Sequence, residues 1–302
     1  MTAVPARARA RFRTPVPDDA AAVAAVINAR ELADRGGAEV TVAMVDALWS
    51  EREIELAADG LIAESGGRVV GFALTTQDRE FVQVTPDHEG RGIGSELLRW
   101  AMARSGARGA VMHRQIIGSH DIGAAALLRD AGYARIRSHH RMDFPWIGPI
   151  SAEPPDGILI RPIDVARDAK ALHRVDAEAF ADNVDYVPET FVQFCDEHLH
   201  APARDANASV AALAGDRIVG FLLAEQRRDG DVGYVSVLGV SRSWRGRGVG
   251  TALLHAAFRI WLAAGVPRVG LMVASDNPGA KRLYERLGMT VEYSVDDYER
   301  PM

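Results

Sequence analysis

The sequence predicts a mixed α/β fold, a mixed sheet flanked by helices, present twice in tandem. Three observations predict it: the chain repeats itself, strand-like and helix-like periods alternate within each repeat, and each repeat carries a glycine-rich turn between a strand and a helix. RVVGF at 68–72 returns as RIVGF at 217–221, and HEGRGIGSELL at 88–98 returns as WRGRGVGTALL at 244–254. The latter pair lies 156 residues apart, and the same offset carries DIGAAALLRDAGY at 121–133 onto NPGAKRLYERLGM at 277–289 without a gap. Pro and Gly concentrate in IGPISAEPPDG at 147–157, which reads as a linker. The expected domains are therefore 1–150 and 151–302, and 302 residues suit two domains of ordinary size.

In the second copy, apolar or alternating runs at ILIRPI, ASVAALA, RIVGFLLAE, GYVSVLGV and RVGLMVAS read as strands. Val249, Leu253, Ala256 and Ile260 recur at helical spacing, so 249–263 reads as a helix with a buried stripe. Another helix starts at Asn277, a good N-cap, with Pro278 in the first helical position, and Gly288 is placed to end it. The order is strand, two helices, three strands, helix, strand, helix, strand, and the first copy follows it with weaker strands.

A net charge of −6 gives no general attraction to nucleic acid or anionic lipid, and no apolar run is long enough to cross a membrane. A cytoplasmic protein with neither nucleic-acid nor membrane partners is expected. The single cysteine, Cys195, excludes an internal disulfide and reads as a partly buried thiol on a helix. His198 and His200, on alternate positions of a helix, read as a solvated or substrate-facing helix end, and no metal site is expected. His139 and His140 read as an exposed strand face.

The chemically informative segment is the fourth strand of the second copy running through RGRGVGT at 245–251 into a helix. Glycines let backbone N–H groups converge and let a phosphate approach, and the helix dipole adds partial positive charge. The spacing matches neither the nucleotide loop ending in Gly-Lys-Ser/Thr nor the dinucleotide fingerprint. A pyrophosphate is the natural ligand.

Arg245, Gly248 and Gly250 fit the loop signature of the GNAT acetyltransferases (Gln or Arg, two residues, Gly, one residue, Gly or Ala), and both halves of the chain resemble that family. The resemblance implies acetyl-coenzyme A as acyl donor and a direct attack by the primary amine of a small molecule in a ternary complex. It implies that Arg245, Gly246, Arg247, Gly248, Val249, Gly250 and Thr251 hold the coenzyme pyrophosphate. Leu238, Gly239 and Val240 would pair with the pantetheine arm and present N–H groups to the oxyanion, Asn277 would contact the coenzyme, and Tyr284 would protonate the departing thiolate. A phenol is matched to that leaving group in basicity. In the first copy the equivalents are Val82, Gln83 and Val84, then Gly90, Arg91, Gly92, Ile93, Gly94 and Ser95. There Glu89 stands where the family has Gln or Arg, and Asp121 and Leu128 replace Asn277 and Tyr284. Leucine cannot donate a proton, so turnover is assigned to the second copy and the first is expected to be degenerate.

The general base has no clear candidate. The fourth strand of the second copy offers Tyr234 and Ser236, with Glu225, Asp229 and Asp231 nearby, whereas the first copy has Asp78 and Glu80 at the positions equivalent to Tyr234 and Ser236. Phe180, Tyr186, Phe191 and Phe194 could line an acceptor pocket. Within the family, tandem copies with a degenerate first half resemble the mycothiol synthases, which acetylate a cysteinyl amine. That type is expected to carry a carboxylate on the fourth strand of its second domain, where Tyr234 and Ser236 stand here. Two other readings stay open: acetylation of a protein lysine or N-terminus, and a non-catalytic acyl-coenzyme A sensor.

Overall fold

The structure, a computed structural model, describes residues 10–38, 40–51, 54–76, 80–145, 153–183, 186–227 and 231–302. Asp78, Asp229 and the expected boundary near residue 152 lie outside them. The chain forms two compact units, one of residues 1–140, 274–276 and 293–302, the other of 141–273 and 277–292. Each unit thus contains a strand segment from the opposite half of the sequence.

In the first unit, β1 (Arg11–Arg13), β2 (Gly60–Ser65), β3 (Arg68–Thr75) and β4 (Glu80–Val84) form an antiparallel sheet in that order. Helices α1 (Ala20–Arg35) and α2 (Val42–Trp49) cover one face, where Val23 and Trp49 pack on Ile62, Phe72 and Leu74. After a short helix α3 (Leu56–Asp59) and the sheet, α4 (Ile93–Ala107) covers the other face, packing Ile93 and Leu97 on Ala63, Val70 and Ala73. Strand β5 (Met112–Gly118), helix α5 (Ile122–Asp130) and strand β6 (Ala134–Pro145) follow. The antiparallel partner of β5 comes from the chain's end, residues Val295–Pro301.

The second unit repeats the plan. Strand β7 (Ile158–Pro162), α6 (Val165–Phe180) and α7 (Phe191–Phe194), which runs on as a π-helical turn (Cys195–Leu199), precede the antiparallel strands β8 (Val210–Ala214), β9 (Arg217–Arg227) and β10 (Val232–Val240). Then come α8 (Val249–Ala263), β11 (Arg268–Ala274), parallel to β10, α9 (Pro278–Arg286) and β12 (Thr290–Pro301). The expected order of elements is thus observed in the second copy, and in the first with one additional short helix, α3, before β2. Of the stripe read at 249–263, Val249, Leu253 and Ala256 are buried and Ile260 is partly buried, and Ala257 and Trp261 add to the buried face. Trp261 lies so close under Gly233 that a Cβ there would approach its ring to 2.5 Å, so only glycine lets α8 seat against β10. Phe144 from the end of β6 stacks on Phe258 of α8 at 5.1 Å between ring centres.

Both copies share a clasp at the start that sequence comparison missed. Arg13 grips both oxygens of Asp19 at 2.7 Å, and Asp19 also accepts the Val16 N–H at 2.8 Å. Arg161 grips Asp168 at 2.6 and 2.9 Å, and Asp168 accepts the Asp164 N–H at 2.9 Å. Each clasp ties the first strand to the entry of the first long helix. Burial would raise the Asp168 pKa, but hydrogen bonds from Arg161, Arg167 and the Asp164 amide outweigh it and hold the carboxyl well below its ordinary value. The clasp therefore stabilises the fold above the unfolded carboxyl pKa near 3.8, and its contribution is lost as acid titrates the folded group. Asp168→Ala should cost about 2–3 kcal/mol at pH 7, below the usual range for a buried pair because Arg161 is partly exposed. Urea unfolding at pH 7 and pH 3 checks this, with the smaller difference expected at pH 3.

Candidate functional site

The geometry of interest in the second unit begins with β10. It pairs with β11 only from Val232 to Val235, while its other edge stays paired with β9 as far as Val240. A bulge between Val235 and Val237 accompanies the parting. The β11-facing edge from Ser236 to Val240 thus lacks a strand partner; Ser241 donates to the Val219 carbonyl on β9, so the alternation turns Gly239 to β9 as well and leaves Leu238 and Val240 facing the gap. Gly239 is required by the neighbouring strand, since a Cβ would meet the Phe221 ring at 2.8 Å.

Beyond β10 a short 3-10 turn (Arg242–Trp244) leads into the glycine loop. Gly246 (φ +72°) and Gly248 (φ +83°) adopt left-handed conformations, and Gly248 is the N-cap of α8. A Cβ at Gly246 would meet nothing within 4 Å. Open space over a left-handed glycine at a helix N-terminus is a fitting cradle for a phosphate. The loop arginines are partly engaged. Arg245 donates to the Ala179 carbonyl at 2.6 Å and to that of Val240 at 3.3 Å, tying the loop to the end of α6. Arg247 lies over the Trp244 ring at 5.2 Å. Val249 is core, so only its backbone is available to a ligand, while Gly250 meets Leu283 of α9. Thr251 is partly exposed on the first turn of α8.

Asn277 caps α9 as the sequence suggests, accepting the Ala280 N–H at 3.1 Å. Two turns on, Tyr284 is 7% exposed within the core beside α8, and burial alone pushes its pKa up to about 12. In the first unit Leu128 occupies the matching place, buried with Leu98, Tyr133 and Tyr298.

The first unit keeps the cleft. Strand β4 is the last of its sheet and does not pair with β5, and a cavity of about 700 Å³ lies between them. Val82, Gln83, Val84, Gly90, Gly92, Gly94 and Ser95 line it, as the repeat suggests, whereas Ile93 is core. Arg91 donates to the Asp87 carbonyl at 2.7 Å. The Glu89 carboxylate is ion-paired with Arg30 of α1, which also meets Asp34 at 2.7 Å and Asp121, the α5 N-cap, at 3.5 Å. This cross-link was invisible in sequence because Arg30 and Glu89 lie far apart along the chain.

The acids that the sequence offers as bases are badly placed. Glu225 faces Tyr234 across the ladder and Asp231 precedes β10, putting them about 13 and 23 Å along the strand from Leu238. Tyr234 is buried beneath the Arg141 guanidinium at 5.1 Å, and the Ser236 hydroxyl donates to the Leu223 carbonyl at 3.1 Å. In the first unit Glu80 is 4% exposed and accepts from Ser105 and the Arg114 amide at 2.8 and 2.9 Å, with His113 at 2.7 Å. Both of its oxygens are thus engaged by structural partners.

Of the aromatic residues expected near an acceptor, Phe194 is wholly buried, while Phe180 and Tyr186 are partly exposed and Phe191 stacks on His173. His139 and His140 are half-buried, not exposed, meeting Asp297 at 3.0 Å and Ser294 at 2.8 Å. Cys195 is partly buried, which raises its pKa. His198 pairs with Glu189 at 3.3 Å, and the exposed Glu197 lies beside them, within 4.8 Å ligand atom to ligand atom.

One residue near this group is new. Asp176 of α6 is 8% exposed, and burial pushes its pKa up to about 6. Its signal in the sequence is a carboxylate on an otherwise apolar stripe with Leu172, Val175 and Ala179. Among the described residues no helix is long and apolar enough to cross a membrane.

The model of the acetyltransferase (GNAT) family matches residues 29–133 and 164–289, most of the chain and both copies. The chain belongs to the GNAT family of acetyltransferases. The paired matches coincide with the two strand-loop-helix units, so this is a tandem GNAT protein. A mycothiol acetyltransferase of Nocardioides sp. is 32% identical over 89% of this chain and 93% of its own, and one of Nocardiopsis dassonvillei is 31% identical over 76% and 78%. Among solved structures, a GCN5-related N-acetyltransferase from Sphaerobacter thermophilus aligns with a TM-score of 0.84 at 26% identity, covering 97% of this chain and 96% of that one. A tandem GNAT protein from the clavulanic acid biosynthesis pathway shares the fold, with a TM-score of 0.71 at 19% identity over 97% and 98%.

Because the folded Asp176 carboxyl titrates above its unfolded value, its ionisation opposes folding as pH rises beyond about 4, and fully so above about 6. Asp176→Asn should therefore stabilise the protein by about 1–3 kcal/mol at pH 8 and by about half as much at pH 5. Urea unfolding curves at the two pH values measure the difference.

Proposed function

We propose that this tandem GNAT acetyltransferase carries out its chemistry in the second copy, moving the acetyl group of acetyl-coenzyme A to the primary amine of a small molecule. The observation that carries this reading is the coincidence, in one unit, of a free β10 edge, a left-handed glycine cradle and a buried tyrosine on α9. The main-chain groups of residues 238–240 that β9 does not use, those of Leu238 and the Val240 N–H, suit the amide-bearing pantetheine arm, and Gly246 to Thr251 suit its pyrophosphate. Acetyl-coenzyme A supplies the activated acyl group. The acceptor amine forms the new C–N bond and the C–S bond breaks. The Tyr284 hydroxyl gives its proton to the departing sulfur, and free β10 amides meet the oxyanion. Burial keeps Tyr284 protonated well above neutral pH, as an acid must be. The small-molecule assignment leans on the mycothiol acetyltransferase relatives.

The first copy has the cavity and the loop but Leu128 in place of the acid. We infer that it takes up coenzyme without turning it over. The Arg30 bridge to Glu89 supports uptake in that it sets a cation against the loop carboxylate, an arginine shared with Asp34 and Asp121 of the same cavity.

The test is to incubate the protein with acetyl-coenzyme A and S-methyl-L-cysteine, glucosamine, spermidine or L-lysine, following release of free coenzyme thiol. At least one amine should be turned over. Tyr284→Phe should lower kcat about 10- to 1,000-fold with little change in coenzyme Kd. An unaltered kcat would refute the assignment of the acid.

A further inference from the structure

We propose that Asp176 of α6 is the general base of this acetyltransferase, taking the proton from the acceptor ammonium directly or through one water. The proposal rests on the reading that chemistry lies in the second copy, and it supplies the group that β10 lacks.

Position is the first support. Helix α6 runs beside β10 toward the same end: Glu178 accepts from the Ser241 hydroxyl and the Arg242 amide at 2.9 Å each, and the Ala179 carbonyl accepts from Arg245. One turn earlier, Val175 belongs to the apolar cluster that Val237 joins. Along α6, Asp176 lies between these anchors. Tyr234, Ser236, Glu225 and Asp231 are each committed elsewhere or lie at the far end of the strand.

Surroundings are the second support. Asp176 is more than nine-tenths buried as a residue and accepts no hydrogen bond from any described residue, its carboxylate oxygens keeping contact with solvent. A largely buried carboxylate that water alone solvates is open to a substrate ammonium or to a bridging water. The charged and titratable groups facing it are His173 on its own helix, Glu189 and Tyr186 on the following loop, and His198 on the π-helical turn. They form a braced set. His173 meets the Glu189 carbonyl at 2.9 Å and stacks on Phe194, Phe194 stacks on His198, and His198 pairs with the Glu189 carboxylate. Single π-helical turns recur where a helix is distorted for function. Residues on β9 that pack against this region, Phe221 and Leu223, are apolar. A pKa near 6 leaves Asp176 ionised at neutral pH and basic enough to accept a proton.

The protons balance. Asp176 takes one from the ammonium, and the free amine attacks the thioester carbonyl. The tetrahedral adduct expels the thiolate, which takes the Tyr284 proton, and the second nitrogen proton passes through solvent to the phenolate. Asp176 then releases its proton to water.

The experiment compares wild type, Asp176→Asn, Asp176→Glu and Tyr284→Phe, measuring kcat and kcat/KM from pH 5 to 9.5 with the panel amine turned over fastest, together with coenzyme Kd. Asp176→Asn should lower kcat at least 100-fold and remove the acid limb near pH 6, with coenzyme Kd unchanged, and Asp176→Glu should restore part of the rate and a limb. If Asp176→Asn keeps the wild-type rate and limb while Tyr284→Phe is impaired, Asp176 is not the base although the second copy is still the working one. If both variants match wild type, the chemistry lies elsewhere and both readings fail.

Discussion

Everything the second unit can do depends on the parting of β10 from β11 after Val235. A sheet normally satisfies its own backbone, and an edge without a strand partner from Ser236 to Val240 is tolerable only if water or a ligand completes the groups that face it. The fold braces both ends of the gap. Below it, Trp261 sits in the notch left by Gly233 and donates its indole N–H to Asp205 at 2.9 Å. Above it, Gly239 makes room for Phe221, and Glu178 and Arg245 lash the loop to α6. The free edge is held rigid, so an amide-bearing arm laid along it would need little rearrangement of the protein.

The two copies carry one scaffold with few substitutions at its loop and edges. Strand, loop and helix cap recur at a constant offset, and in both copies a left-handed glycine starts the helix. What differs is how charge and protons are handled at the edges. In the first copy an arginine from α1 answers the loop carboxylate, and a leucine fills the place of the tyrosine. In the second, the loop arginine reaches back to α6, and that helix carries an unpaired buried carboxylate.

Local features were legible in the sequence because their causes are local. The α8 stripe, the Asn277 cap with Pro278, and the glycine spacing each depend on residues within a turn or two of one another, and each appears in the structure where its spacing puts it. What was illegible is tertiary. Nothing near Glu89 reveals Arg30, and nothing near Glu80 tells that Ser105, His113 and Arg114 enclose it. The exchange of terminal strand segments between the units leaves no mark on hydrophobic period, because a strand has the same alternation whichever neighbour it pairs with. Asp176 did leave a mark, a charge on an apolar helical stripe, but such a mark gains meaning only when no partner is found for it.

The central claim is that the second cleft, and not the first, transfers the acetyl group. The direct measurement is the rate of coenzyme thiol release by two matched variants, Gly248→Glu and Gly92→Glu. Each puts a charged L-residue at a left-handed loop position, φ +83° in one and +80° in the other. This account predicts that Gly248→Glu abolishes turnover while Gly92→Glu leaves kcat within about twofold of wild type. The reverse pattern would contradict it.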